Sequence, residues 1–220
     1  MWVGLGPVIH FSLSGSGDLG CSVTVQTVAN FVLIAGARLG AWAWDEVVPY
    51  LRAAGHRAHP LTLSGLADKR GVPAGQQTHV QDIVDEVEGQ DLRGVVLVGH
   101  SYSGIPVGQA AERIGDRLAH VVFVDSSIPA DGEAFVSAWP DGGAMVKASI
   151  AENGGFWPLV TAARFDGHGL TDEQIARIMG GSTPHPAPRS PSPPCWPGHW
   201  ANSRRRTSNA CLPETSSATR

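Results

Sequence analysis

The chain has 220 residues, 42% of them apolar and 16% charged, which is the balance of a soluble globular protein of one domain or little more. It excludes a fibrous or wholly disordered chain. The 16 basic residues against 20 acidic ones leave a net charge of −4, so the sequence offers no basic field for nucleic acid. No apolar run approaches the roughly 18 to 20 residues that cross a bilayer, and no basic start, apolar stretch and cleavage site open the chain. The reading is a cytoplasmic protein without a membrane partner. Cys21, Cys195 and Cys211 share no metal-like spacing and make no disulfide framework, so they read as free thiols and no metal is expected.

Residues 1–29 are rich in Gly and Ser and read as one or two edge strands or as an extension outside the fold. Phe31 to Ile34 is a short aliphatic run stopped by Ala35-Gly36, a strand. Trp44, Val47, Val48 and Leu51 recur at helical spacing before Gly55, predicting a helix over 44–54, and His56 to Leu61 reads as a weaker strand. Thr78 is placed to cap a helix over 78–87 whose Val80, Ile83, Val84 and Val87 share one face. Gly94 to Val98 is the continuous aliphatic run of a strand covered on both sides, and Val121 to Val124 is a further buried strand ending at Asp125. Strands separated by helices of about ten residues imply an α/β fold with a parallel sheet and flanking helices.

From Ser182 to Arg220 the composition changes. The stretch has no Val, Ile, Phe, Met or Tyr and one Leu, but eight of the 16 prolines, seven serines and five arginines. So little apolar matter does not offset the entropy of ordering, and a disordered tail over 182–220 is expected. Arg outnumbers Lys 14 to 2, which suggests a GC-rich coding sequence. A permitted back-translation of Ala187 to Leu212, shifted in frame, produces a helix-like stretch and then a Tyr-Ile-rich strand. A truncated or frameshifted end after about residue 186 is therefore the expectation.

The strongest chemical signal is Gly99-His100-Ser101-Tyr102-Ser103-Gly104, set between the strongest strand and a helix. A G-x-S-x-G elbow places a serine on a strained strand-to-helix turn, and its small neighbours let the backbone pass without clashes. The fifth position here is Ser103, still small. The plainer alternative is a glycine-rich turn whose hydroxyls cap a helix; the strand before and the small residues after the motif favour the elbow. Trp42 and Trp44 read as residues packing the first helix on the sheet rather than as a binding site.

Phe31 to Trp44, Val48 to His56, Leu61 to Leu66, Val98-Gly-His-Ser-Tyr102, Val122-Phe-Val-Asp125 and Pro129-Ala-Asp-Gly132 together resemble the α/β-hydrolases of the small-ester esterase and hydroxynitrile lyase branch. The resemblance runs in motif order from about residue 30 to 181 and implies an α/β-hydrolase core with a partial cap at about 129–181. It further implies Ser101 as nucleophile and an oxyanion hole made by the backbone N–H groups of Ala37 and Tyr102. Where the family reads His-Gly-small, this chain reads Ala35-Gly36-Ala37.

A serine hydrolase needs an acid and a base after the serine in the chain. The family takes them from two strands that follow the cap, and those last strands are missing from this sequence. Asp125 is the candidate acid, although a polar strand end is the plainer reading for it. His199 is the candidate base, although it lies in the polar tail with His185 and Glu214. His100 is expected to pack beside the turn. His56, His59, His79, His120 and His168 have no motif context.

The expected function is hydrolysis of a small carboxylic ester through an acyl-enzyme on Ser101, without metal or cofactor, and impaired in this chain. A lyase using the same serine as a base is the alternative among enzymes. A non-catalytic small-molecule binding module, or a truncated product without function, is the alternative outside them. The pattern specifies neither the particular ester nor an oligomeric state.

Overall fold

The computed structural model describes residues 8–10, 24–26, 28–126 and 140–187. Cys21, Cys195, Cys211, His199, Glu214 and the expected start of the cap at Pro129 lie outside these residues. Two short strands come first, β1 (Val8–His10) and β2 (Thr24–Gln26), which pair antiparallel with each other.

The first strand of the main sheet is β3 (Asn30–Ile34), with Val32, Leu33 and Ile34 all buried. The helix expected over 44–54 is split. Ala41–Trp44 forms a single 3₁₀ turn, and α1 (Val48–Ala53) starts four residues later with a proline in its first turn. Pro49 has no N–H to give to a carbonyl four residues back, so the helix begins at the proline rather than running through it. Next comes β4 (Arg57–Leu61), then α2 (Gln76–Gly89). Thr78 does not cap α2 as expected, because the helix starts earlier. Gly75 holds the cap position, and the Thr78 Oγ1 reaches back to accept the Gly75 N–H at 3.2 Å.

Strand β5 (Val95–His100), helix α3 (Gly104–Arg113) and strand β6 (Leu118–Val124) complete the core. The four strands are parallel, in the order β4-β3-β5-β6, with Ile34 level with both Leu61 and Gly99. This is the parallel sheet with flanking helices that the alternating pattern predicts. One face buries Val32, Ile34, Leu97 and Val95 beneath Val80, Ile83 and Val87 of α2 and Val107 and Ala110 of α3. The other face packs Leu33, Val96 and Val98 against Val48 and Leu51 of α1. Each aliphatic side chain withdrawn from water contributes about 1.5–3 kcal/mol, which is why the central strands are nearly all-aliphatic.

Strand β6 differs. It has no further strand beside it among the described residues, and it is not the buried strand its aliphatic sequence suggests. Val121 and Phe123 pack toward α3, while Val122 and Val124 are each 40% exposed.

Helix α4 (Ala144–Glu152), strand β7 (Phe156–Trp157), helix α5 (Asp172–Gly181) and strand β8 (His185–Pro186) follow. Thr171 caps α5: its Oγ1 accepts the Gln174 N–H, and the Gln174 side chain accepts the Thr171 N–H in return. Strand β8 pairs antiparallel with β7. Packing thus continues to Ala187, past the change of composition at Ser182, because Thr183 and His185 are buried by polar contacts rather than by aliphatic bulk. Among the described residues, no helix is long and apolar enough to cross a membrane.

Candidate active site

Ser101 follows β5 directly with φ 53, a left-handed conformation that costs a non-glycine residue about 1–3 kcal/mol. The turn persists because its surroundings over-determine it. A Cβ added to Gly99 would lie 3.0 Å from the Ser103 carbonyl oxygen, and one added to Gly104 would meet the Ser126 Oγ. Glycine at 104 thus leaves room for the Ser126 side chain, just after β6 in the chain, whose Oγ donates to the Ser101 carbonyl at 2.6 Å. Ser103, at the motif's fifth position, is fully buried and donates its hydroxyl to the Ala35 carbonyl.

The loop after β3 closes against this turn. A Cβ on Gly36 would come within 3.1 Å of the Ser101 Cβ and 3.0 Å of the His100 Nδ1. The Gly36 N–H donates to that Nδ1 at 3.2 Å, so the neutral imidazole carries its proton on Nε2. Burial holds the His100 pKa below 6.5, and the nearby Asp125 carboxylate partly opposes that shift. Asp125 follows β6 with φ 44. Ala37, next to Gly36, is half-buried.

Tyr102 is buried against α2. Its hydroxyl lies 3.0 Å from the His79 Nδ1, and the His79 Nε2 lies 3.0 Å from the Ser64 carbonyl. A carbonyl only accepts, so Nε2 carries the proton and Nδ1 accepts from Tyr102. Burial pushes the Tyr102 pKa upward and keeps the hydroxyl protonated. Asp82 of α2 completes the support by accepting the Ser64 N–H at 2.7 Å and the Ser64 hydroxyl at 2.8 Å.

His185 closes the other side of Tyr102. It is 2% exposed, and its Nδ1 accepts the Arg38 N–H at 3.3 Å. Arg38, itself at φ 72, also receives the Thr183 N–H on its carbonyl at 2.9 Å. A cavity of about 400 Å³ lies between the 3₁₀ turn and α5, walled by Leu39, Trp42, Trp44, His100, Leu170 and Ile178. Arg177 holds α5 there through Asp45 at 3.0 Å and Glu46 at 2.8 Å. Trp42 and Trp44, read as packing residues, therefore also face a cavity.

The residues expected at the site divide accordingly. Ser101, Tyr102 and the loop bearing Ala37 are brought together. Asp125 neighbours His100, and its contacts include no bond to the Ser101 hydroxyl. His199 lies outside the described residues. Missing from the sequence reading are the support of Tyr102 by His79 and the packing of His185 and Arg38 against the site. The signal for His79 was its place four residues before Ile83 on the buried face of α2, where a polar side chain needs partners.

The sequence profile of the alpha/beta hydrolase family matches residues 31–211, and the chain belongs to that family. Among its relatives, a carbendazim hydrolyzing esterase from Nocardioides sp. (strain SG-4G) is 34% identical over 116 residues, which make up 51% of this chain and 48% of that protein. Esterase PIR7B from Oryza sativa subsp. japonica is 39% identical over 116 residues, 50% of this chain and 43% of that protein. The chain thus spans about half the length of the curated relatives it matches. An extracellular alpha/beta-hydrolase from a Paenibacillus species has the same fold, with a TM-score of 0.65 and 22% identity over 77% of this chain and 69% of that one.

Proposed function

We propose that the site hydrolyses a small carboxylic ester by acyl transfer to Ser101, with the N–H groups of Ala37 and Tyr102 receiving the oxyanion. The observation that carries this reading is the left-handed Ser101 at the end of β5, with the Gly36 loop packed against its Cβ. Two backbone donors beside a strained serine suit the charge that develops in a tetrahedral intermediate, and one such donor is worth roughly 3 kcal/mol of barrier. The esterases among the relatives support an ester as the substrate. Asp125 and His199 are the candidates for acid and base.

The reaction is impaired in this chain. Among the described residues no imidazole is bonded to the Ser101 hydroxyl, and loss of a triad histidine costs about a millionfold in turnover. The same observation favours a second reading, a pocket that binds small esters without turning them over. A fluorophosphonate probe and p-nitrophenyl acetate test both. The hydrolase reading expects slow, stoichiometric modification of Ser101, lost in Ser101→Ala, and turnover far below ordinary enzyme rates. Reversible binding with no adduct on Ser101 supports the binding module instead.

A further inference from the structure

The carboxyl ends of β5 and β6 share an uncommon backbone. His100 of β5 lies level with Val124 of β6, and the residue after each, Ser101 and Asp125, is left-handed, at φ 53 and φ 44. Neither is glycine, so each turn is costly and persists only where its surroundings hold it. At Ser101 the elbow accounts for the turn. At Asp125 the turn brings the next residue, Ser126, back against that elbow, where its Oγ donates to the Ser101 carbonyl at 2.6 Å. Gly104 leaves the room that this side chain needs.

The carbonyl that Ser126 holds belongs to the same peptide group as the Tyr102 N–H. That group is planar and trans, so holding its oxygen aims its N–H the opposite way. The Tyr102 side chain is fastened separately. Its hydroxyl donates to the His79 Nδ1 at 3.0 Å, and the His79 Nε2 donates to the Ser64 carbonyl at 3.0 Å, with both Tyr102 and His79 buried. Tyr102 is therefore gripped at its amide from the end of β6 and at its phenol from α2. A hydroxyl that only satisfied a spare carbonyl would need neither a strained residue before it nor a glycine beside it. An oxyanion donor, by contrast, acts only when it is aimed at the developing charge. We propose that Ser126 is a positioning residue which, through the Ser101 carbonyl, sets the direction of the Tyr102 N–H toward the oxyanion, while His79 holds the far end of Tyr102. This rests on the hydrolase reading for the statement that the N–H receives an oxyanion.

The rate at which a fluorophosphonate modifies Ser101 tests it. The Oγ–P bond forms, fluoride leaves, the serine proton passes to water, and the phosphoryl oxygen takes the place of the oxyanion. Ser126→Ala is expected to lower the maximal rate of modification roughly tenfold, part of what loss of a whole donor costs, while the probe concentration at half-maximal rate stays within about twofold. Ser126→Thr keeps the hydroxyl and should recover most of the rate. His79→Phe should also slow modification, and His79→Gln, whose amide both accepts and donates, should recover part of it. An unchanged rate in Ser126→Ala, a fall that comes only from weaker probe binding, or a folded Ser126→Thr as slow as Ser126→Ala overturns the proposal. Relaxation of the Tyr102 amide in the free protein separates this from the hydrolase reading. Its order parameter should be that of rigid backbone, about 0.85, in the wild type and should fall in Ser126→Ala, with Val98 unchanged. A wild type that takes up no probe overturns the hydrolase reading, and the order parameter then decides for Ser126: a fall confined to the elbow supports its hold on the amide, and no fall overturns it. If Ser126→Thr does not fold, the rate and the order parameter of Ser126→Ala decide.

Discussion

The ring of His185 stands edge-on to that of Tyr102, with centroids 4.3 Å apart and planes at 72°. The contact ties the short β7–β8 ribbon directly to the residue that follows Ser101. A second histidine, His79, closes the cluster from α2, with its ring centroid 5.4 Å from that of His185. Three polar rings thus occupy a space that aliphatic side chains fill elsewhere under the sheet.

Acid should open this cluster. Burial holds both His79 and His185 below 6.5, and for His185 the neighbouring His79 and Arg38 add to the effect. The unfolded chain therefore takes up more protons than the folded one as pH falls below the ordinary histidine value. The stability supplied by the two neutral rings is complete above about pH 6.5 and is lost as pH drops through their folded values. Thermal unfolding followed from pH 8 to pH 5 should show Tm falling by roughly 2–4 °C for each kcal/mol lost. His185→Gln should flatten that slope. An identical slope in the variant would place the acid sensitivity elsewhere.

Ser101→Gly should stabilise the fold while ending any acylation. Glycine adopts φ 53 without the Cβ penalty, so a gain of about 1 kcal/mol in denaturant unfolding is expected, whereas Ser101→Ala keeps the strain. A Gly variant no more stable than the Ala variant would show that the turn stores no strain at this position.

Gly104→Ala should be destabilising, because its Cβ would push the Ser126 hydroxyl off the Ser101 carbonyl and come within 3.0 Å of the Ser126 Cβ. Overpacking of this kind costs about 1–3 kcal/mol. Combining it with Ser126→Gly removes the overlapping atoms, so the double variant should be more stable than the sum of the two singles predicts. Simple additivity in urea unfolding would contradict the contact.

Ser103→Ala should cost about 1–3 kcal/mol, since it leaves the buried Ala35 carbonyl without its donor. The loop carrying Ala37 should loosen as well, visible as faster amide exchange at Gly36 and Ala37. Unchanged exchange at both amides would mean that the Ser103 bond does not hold the loop.

The sheet was legible because its central strands are nearly bare aliphatic runs: Val95 to Val98 permits few other environments, and Phe31 to Ile34 is stopped by Ala35-Gly36. The elbow was legible because strand, motif and helix follow one another without a gap. The edges of elements were less so. Pro49 moved the start of α1, and Thr78 proved to be the third residue of its helix rather than its cap. The exposure of β6 was not legible at all, because Val121 to Val124 has the composition of a covered strand and what covers a strand is a property of distant chain. His185 escaped notice for a related reason. A histidine among prolines and serines carries no periodic signal, and its burial depends on Tyr102, Arg38 and Trp157, which are brought to it only by the fold.

Strand β6 has a consequence for handling the protein. Its seven residues, Leu118 to Val124, include no Lys, Arg, Asp, Glu or Pro, the usual means by which a border strand turns other strands away. Its exposed Val122 and Val124 sit beside a row of backbone groups with no strand to accept them among the described residues. Such a border is a template, and the most abundant extended segment near it in any concentrated sample is the same border on another molecule. The lifetime of a solution of this chain should therefore shorten as concentration rises, and a single Val122→Lys change, which touches neither the elbow nor the cavity wall, should lengthen it.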